Sequence, residues 1–202
     1  MHILTIMQNE LGDYHQGMGL ICAFLLLTLS SAEVLAMLRV IATEAKYLPD
    51  FWKAESIACA TDGYLWKDMI EERYPNINAH LNSNFILPET FVQKWFCALC
   101  VHVLPFESLF GFISLFFRDG HTFLFRFGVS LVDQFQERLL AAKSQAQIYA
   151  LLRLDATVVL HAQTLPLVFF MHAHIFPHLL LSLSHYVVLY YSIHKYLLYS
   201  DM

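Results

Sequence analysis

Apolar residues recur at helical spacing through most of the first 155 positions. Leu20 to Leu27 is an uninterrupted apolar run, read as a buried helix. Val34, Leu35, Leu38, Ile41 and Ala45 share one helical face behind Ser30-x-x-Glu33. That tetrad is a capping box, in which the serine oxygen accepts from a free backbone N–H and the glutamate reaches back. Leu48-Pro49-Asp50 is the expected stop. Leu65, Trp66, Met69 and Ile70 mark another helix. It closes at Tyr74-Pro75, because the residue before proline is pushed out of the α region. Pro88 opens a helix where its missing N–H does no harm. Phe91, Trp95, Leu99 and Val103 line its buried face, and Pro105 ends it. Beyond Gly120, a long stripe runs through Leu124, Phe127, Leu131, Phe135 and Leu139. Ser144-x-x-Gln147 is a second capping box, followed by Ile148, Leu151, Leu152 and Val159 at helical spacing. No window before residue 160 sustains strand alternation, so the pattern predicts an all-α fold.

Composition narrows the function classes. The 202 residues are 57% hydrophobic, enough for one sizeable core. Seven Gly and six Pro are too few for a turn-rich β architecture. A net charge of −5 argues against a nucleic-acid surface. The four cysteines follow no disulfide framework and fit reduced core thiols of a cytosolic protein. Met1-His2-Ile3-Leu4 lacks the basic start and cleavage site of a signal peptide. Charge also divides the chain: residues 156–194 contain no Asp, Glu, Lys or Arg. The expected organisation is therefore a helical domain over 1–155 and an uncharged, apolar, His-rich tail over 156–202.

The candidate chemistry lies near the start. Tyr14-His15-Gln16-Gly17-Met18 sets an amide side chain on a turn just ahead of the apolar run. Three further stretches follow in order. They are Ser30-Ser31-Ala32-Glu33, then Tyr74-Pro75 to His80-Leu81 with Trp95-Phe96, and then Asp119-Gly120 ahead of Leu124-Phe125-Arg126. Over residues 3–143 this series resembles the TBC domain, the all-helical family of Rab GTPase-activating proteins. The pentad resembles the family's Tyr-x-Gln-Gly-Met signature.

The resemblance implies a TBC-like helical domain, here its C-terminal portion. It implies a role in vesicle trafficking, and a partner that is a Rab-type small GTPase in its GTP-bound form. Hydrolysis of GTP needs a water held in line with the γ-phosphate, and positive charge against the developing negative charge. In the family an arginine of an Ile-x-x-Asp-x-x-Arg motif and the glutamine of Tyr-x-Gln-Gly are inserted in trans. Gln16 is thereby the water-orienting residue. Tyr14 would pack beneath it, and Gly17 would let the backbone approach the partner closely.

The arginine motif is not found in this sequence, and Gln16 has only 15 residues before it. An arginine finger is worth about 10³–10⁵ in rate, or ~4–7 kcal/mol of barrier. Weak or absent activity is therefore expected. Ile113 and Ser114 stand where the family has a Trp-Asp pair, and Gly19 where it often has asparagine. The alternative is a non-catalytic Rab-binding or membrane-tethered scaffold.

Other constellations read as structure. Cys97 and Cys100 have metal-ligand spacing with His102 nearby, but no second cysteine pair completes a tetrahedral site. They read as core thiols within a helix. Phe106, Phe110, Phe112, Phe116 and Phe117 read as core or as a docking surface. His172, His174, His178 and His185 lack a carboxylate to orient them as ligands. No cofactor and no metal are expected. The 39 residues of 156–194 exceed the ~20 that cross a bilayer. Tyr186, Tyr190, Tyr191, Tyr196 and Lys195 would suit an interfacial belt. Pro166, Pro177, His178 and His185 oppose a span. Membrane association through 165–198, a strand-forming segment, a buried helix, or the product of a truncated or rearranged frame are the alternatives. The expected location is cytoplasmic, with a peripheral or anchored attachment to endomembranes as an option.

Overall fold

Caps and prolines divide the chain much as the pattern of polar positions requires. The computed structural model describes residues 2–53 and 57–155. Their helices are α1 (His2–Leu11), α2 (Gln16–Leu25), α3 (Ser31–Thr43), α4 (Ile57–Arg73), α5 (Pro75–Ser83), α6 (Glu89–Trp95), α7 (Phe106–Asp119), α8 (His121–Ala141) and α9 (Gln145–Leu152). No strand occurs among the described residues, and the all-α expectation holds. The tail from 156 onward, with its histidines, its tyrosine belt and Val159, lies outside the described residues.

The Ser30 box forms in full. Glu33 N–H donates to Ser30 Oγ at 3.4 Å, and Ser30 N–H donates to Glu33 Oε2 at 2.8 Å. The Ser144 box forms by half. Gln147 N–H donates to Ser144 Oγ, but Gln147 Oε1 accepts from Lys143 N–H instead of the cap residue.

Two helices are shorter than their apolar spacing predicts. α3 ends at Thr43, so Ala45 is exposed and Ala42 is buried in its place. The chain turns back sharply enough for Leu48 N–H to donate to Ile41 O at 3.0 Å. Leu48 thus fills the core from outside the helix. α6 ends at Trp95. Leu99 and Cys100 adopt φ values of 45° and 56°, left-handed conformations that a helix cannot contain. Both remain fully buried, so the apolar period continued while the backbone did not. Cys97 and Cys100 therefore lie in an irregular buried strap, correcting their placement in a helix. Both are free and buried, and burial pushes the Cys100 thiol well above its ordinary range.

α8 is the axis of the domain. All the residues of its predicted stripe are buried. It packs against α4, α5, α7 and α9, while α1, α2 and α3 pack on one another. Trp66, Phe91, Trp95 and Phe127 meet mostly edge to face at centroid distances of 5.1–6.0 Å, the geometry ring quadrupoles favour. In α7, Phe112 and Phe116 are core, while Phe106 and Phe110 stay 53% and 41% exposed. Ile113 is buried, and the Ser114 hydroxyl donates to its own helix at Phe110 O.

The turn from α7 to α8 is fixed by backbone and charge. Gly120 has φ +70°, and a Cβ there would stand 2.3 Å from Lys46 O. Asp119 accepts from Arg118 at 2.7 and 2.8 Å and from Arg126 at 2.6 Å. Those two guanidiniums hold its carboxyl down at about 2. A depressed carboxylate favours the native state above its unfolded value and loses that contribution as pH falls through its folded value. Asp119→Asn is therefore expected to flatten the acid limb of a urea-midpoint profile between about pH 4 and about pH 2. An unchanged acid limb would refute that linkage.

Candidate functional site

Gly12, with φ +77°, ends α1 and swings the chain into the short connection that carries Tyr14 and His15. His15 is the N-cap of α2 in extended conformation, and its Nδ1 accepts from Gly17 N–H at 3.0 Å. An imidazole nitrogen that accepts carries no proton, so this contact fixes the ring as the Nε2–H tautomer. Burial lowers the affinity of His15 for a second proton, against the pull of Asp13. Gln16 is then the first residue of α2 and is exposed. Met18, Ile21, Cys22, Phe24 and Leu25 bury the rest of the helix. The helix is anchored by its apolar body, and the carboxamide stands at its free end.

Gly17 faces inward. A Cβ on it would lie 2.3 Å from the carbonyl oxygen of Cys97. The close approach this glycine permits within the chain is to the buried strap. The same carbonyl accepts from the Trp52 indole N–H at 3.0 Å. Gly17→Ala must displace either α2 or the strap, and overpacking of this kind is worth about 1–3 kcal/mol. We expect a lower urea midpoint and a shifted Gln16; wild-type stability would show that the strap yields freely. Tyr14 is 45% exposed, its N–H donates to Asp13 Oδ1, and its hydroxyl lies against Gly19, one turn beyond Gln16. A Cβ at Gly19 would meet the Tyr14 hydroxyl at 2.7 Å. Glycine at this position lets the tyrosine lie down on α2.

Beside Gln16 is a groove of about 350 Å³. Its other polar walls are His15, Gln93 and Lys94 of α6, and His102 of the strap. The sequence patterns had singled out neither Gln93 nor Lys94, and His102 only as a neighbour of two thiols. No periodicity marks which exposed positions of α6 face α2. His102 is held below its ordinary protonation range by burial and then by the Lys94 ammonium. Among the described residues Lys94 forms no ion pair, and no acidic side chain lines the groove.

Behind the strap lies a buried pair. His121 Nε2 and Asp62 Oδ2 are hydrogen-bonded. Phe51, Phe96 and Phe125 pack edge to face on the imidazole. Burial raises the Asp62 carboxyl above its ordinary value, with His121 opposing. The pair holds α8 to α4. Phe96, immediately before Cys97, transmits that position to the strap on which Gly17 rests.

The described arginines lie elsewhere. Arg39 pairs with Glu10, Arg118 and Arg126 with Asp119. Arg73 donates to the Tyr74 hydroxyl, Arg138 lies over Phe135, and Arg153 donates to Thr90 O. None of them lines the groove.

Comparison with known proteins identifies the family. The sequence model of the Rab-GTPase-TBC domain family matches residues 1–140. Growth hormone-regulated TBC protein 1 of Rattus norvegicus is 28% identical over 142 residues, covering 70% of this chain and 49% of the relative. Its Homo sapiens counterpart is 28% identical over 140 residues, covering 69% and 41%. A TBC domain-containing protein kinase-like protein of Gallus gallus is 29% identical over 130 residues, covering 63% and 14%. The chain thus spans less than half the length of these relatives. With a family match over most of its length and an all-helical fold, this chain belongs to the Rab-GTPase-TBC domain family.

Proposed function

We propose that the chain acts on a Rab-type small GTPase in its GTP-bound form, presenting Gln16 in trans to orient the attacking water. One observation carries the reading: Gln16 stands exposed at the first position of a helix whose apolar face is buried, at the edge of a polar groove. A group fixed in this way loses little freedom when it meets the nucleotide, which is how positioning lowers a barrier. Tyr14 and Gly17 serve it by packing, one against Gly19 and the other against Cys97. The test is single-turnover GTP hydrolysis by a panel of Rab-type GTPases, with wild-type chain and with Gln16→Ala. Acceleration by the first and not the second supports the mechanism; equal acceleration by both removes it.

A second reading, a binding scaffold without catalysis, is favoured by one specific observation. No described arginine reaches the groove, so the arginine that completes this chemistry is not supplied there. A scaffold retains GTP-dependent capture of the GTPase while hydrolysis stays at the intrinsic rate. We place the protein in the cytoplasm, with residues 165–198 as the attachment to endomembranes. Fractionation of the full chain tests this, and recovery in the soluble fraction alone would refute the attachment.

A further inference from the structure

We infer that the groove beside Gln16 is an anion-receiving site of the GTPase interface, with Lys94 as its cation. The inference rests on the functional reading above and adds to it the chemistry of the group that enters. Four features carry it. Lys94 is a partly buried residue without an ionic partner among the described residues, in a chain whose net charge is −5. No carboxylate lines the groove. Gln16 and Gln93 place two amide groups, each able to donate, on the same cavity. His15 and His102 are both biased toward the neutral form by burial, so at neutral pH Lys94 is the fixed charge there.

A cation flanked by neutral donors, in a cleft that excludes part of the solvent, binds oxygen anions through charge-assisted hydrogen bonds. A volume of about 350 Å³ admits one carboxylate side chain or one phosphoryl group. It is too large for the site to be satisfied by a single bridging water. The two sources of such an anion are an acidic side chain of the GTPase and the terminal phosphate of its nucleotide. Lys94 lies on α6 and Gln16 on α2, so two separate elements contribute to the lining that meets the anion.

The experiment measures affinity of the full chain and of Lys94→Ala for Rab-type GTPases loaded either with GDP or with a non-hydrolysable GTP analogue. Lys94→Arg serves as the charge-retaining variant, and thermal melts verify that each variant is folded. We expect Lys94→Ala to weaken binding about tenfold, the size of one charge-assisted hydrogen bond, with Lys94→Arg restoring most of it. Raised salt should narrow the gap between wild type and Lys94→Ala. A loss confined to the triphosphate form identifies the phosphate as the anion. An equal loss in both forms identifies an acidic side chain of the GTPase. Unchanged affinity in both forms overturns the inference and leaves the role of Gln16 standing. Conversely, a Lys94 effect together with unimpaired hydrolysis by Gln16→Ala would sink the glutamine mechanism and keep the anion site. Failure of every panel member to bind would overturn both.

Discussion

Gln16→Ala returns GTP hydrolysis by a responsive GTPase to its intrinsic rate, a loss of roughly 10- to 10²-fold from the wild-type chain. Removing one preorganised oxyanion-hole donor in acyl transfer lowers rate by about 10²–10³. The smaller figure is expected because no described arginine supplies the partner charge. Folding is not at issue, since the side chain is exposed and its truncation leaves the buried face of α2 intact. Gln16→Asn keeps the chemistry but withdraws the amide by one methylene, and displacement of about 1 Å at a reacting centre can cost about 10²-fold. It should therefore resemble Gln16→Ala. If Gln16→Asn retained full rate, the amide would be acting through looser contacts than water positioning requires.

Asp62→Ala is expected to bring the largest loss of stability. The carboxyl is fully buried, with His121 as its hydrogen-bond partner and aromatic rings around the imidazole. Removing one member of a buried pair leaves the other without compensation, a loss of about 3–5 kcal/mol. Against a total of roughly 5–15 kcal/mol that is a large share. For a domain of this size it corresponds to a fall in Tm on the order of 10 °C. The double variant Asp62→Leu with His121→Phe removes both polar groups and should recover a substantial part of the loss. Should the single variant melt within about 2 °C of wild type, water must reach the pair and the account of its burial would be wrong. The same substitution also tests how the site is held, because Phe96 links His121 to the strap beneath Gly17.

Much of the fold was legible because local signals agreed with packing. Ser30 and Glu33 cap a helix, Pro75 and Pro88 start two, and the α8 stripe is buried at every predicted position. The misreadings lie at two helix ends. At Ala45 and Leu99 an apolar residue recurs at helical spacing after the backbone has left the helix. The outcomes differ: Ala45 is exposed once the helix has ended, whereas a left-handed φ at Leu99 keeps that residue buried without keeping it helical. The site was legible only as far as Gln16. Its exposure follows from a polar residue set before an apolar run. The inward turn of Gly17 does not, because it depends on the Cys97 carbonyl, a backbone atom of a distant strap. Lys94 and Gln93 were invisible for the same reason: only the packed fold brings α6 beside the start of α2.

The central claim is that one exposed carboxamide meets a nucleotide held by another protein as the phosphoryl group transfers. Tighter binding to the transition state than to the ground state is the signature of such a role. The direct measurement is affinity for a Rab-type GTPase loaded with GDP and aluminium fluoride, a mimic of the transferring phosphoryl group, compared with GDP alone. The wild-type chain should prefer the mimic, and Gln16→Ala should lose that preference while keeping its affinity for the GDP form. Equal preference in both chains would contradict the claim.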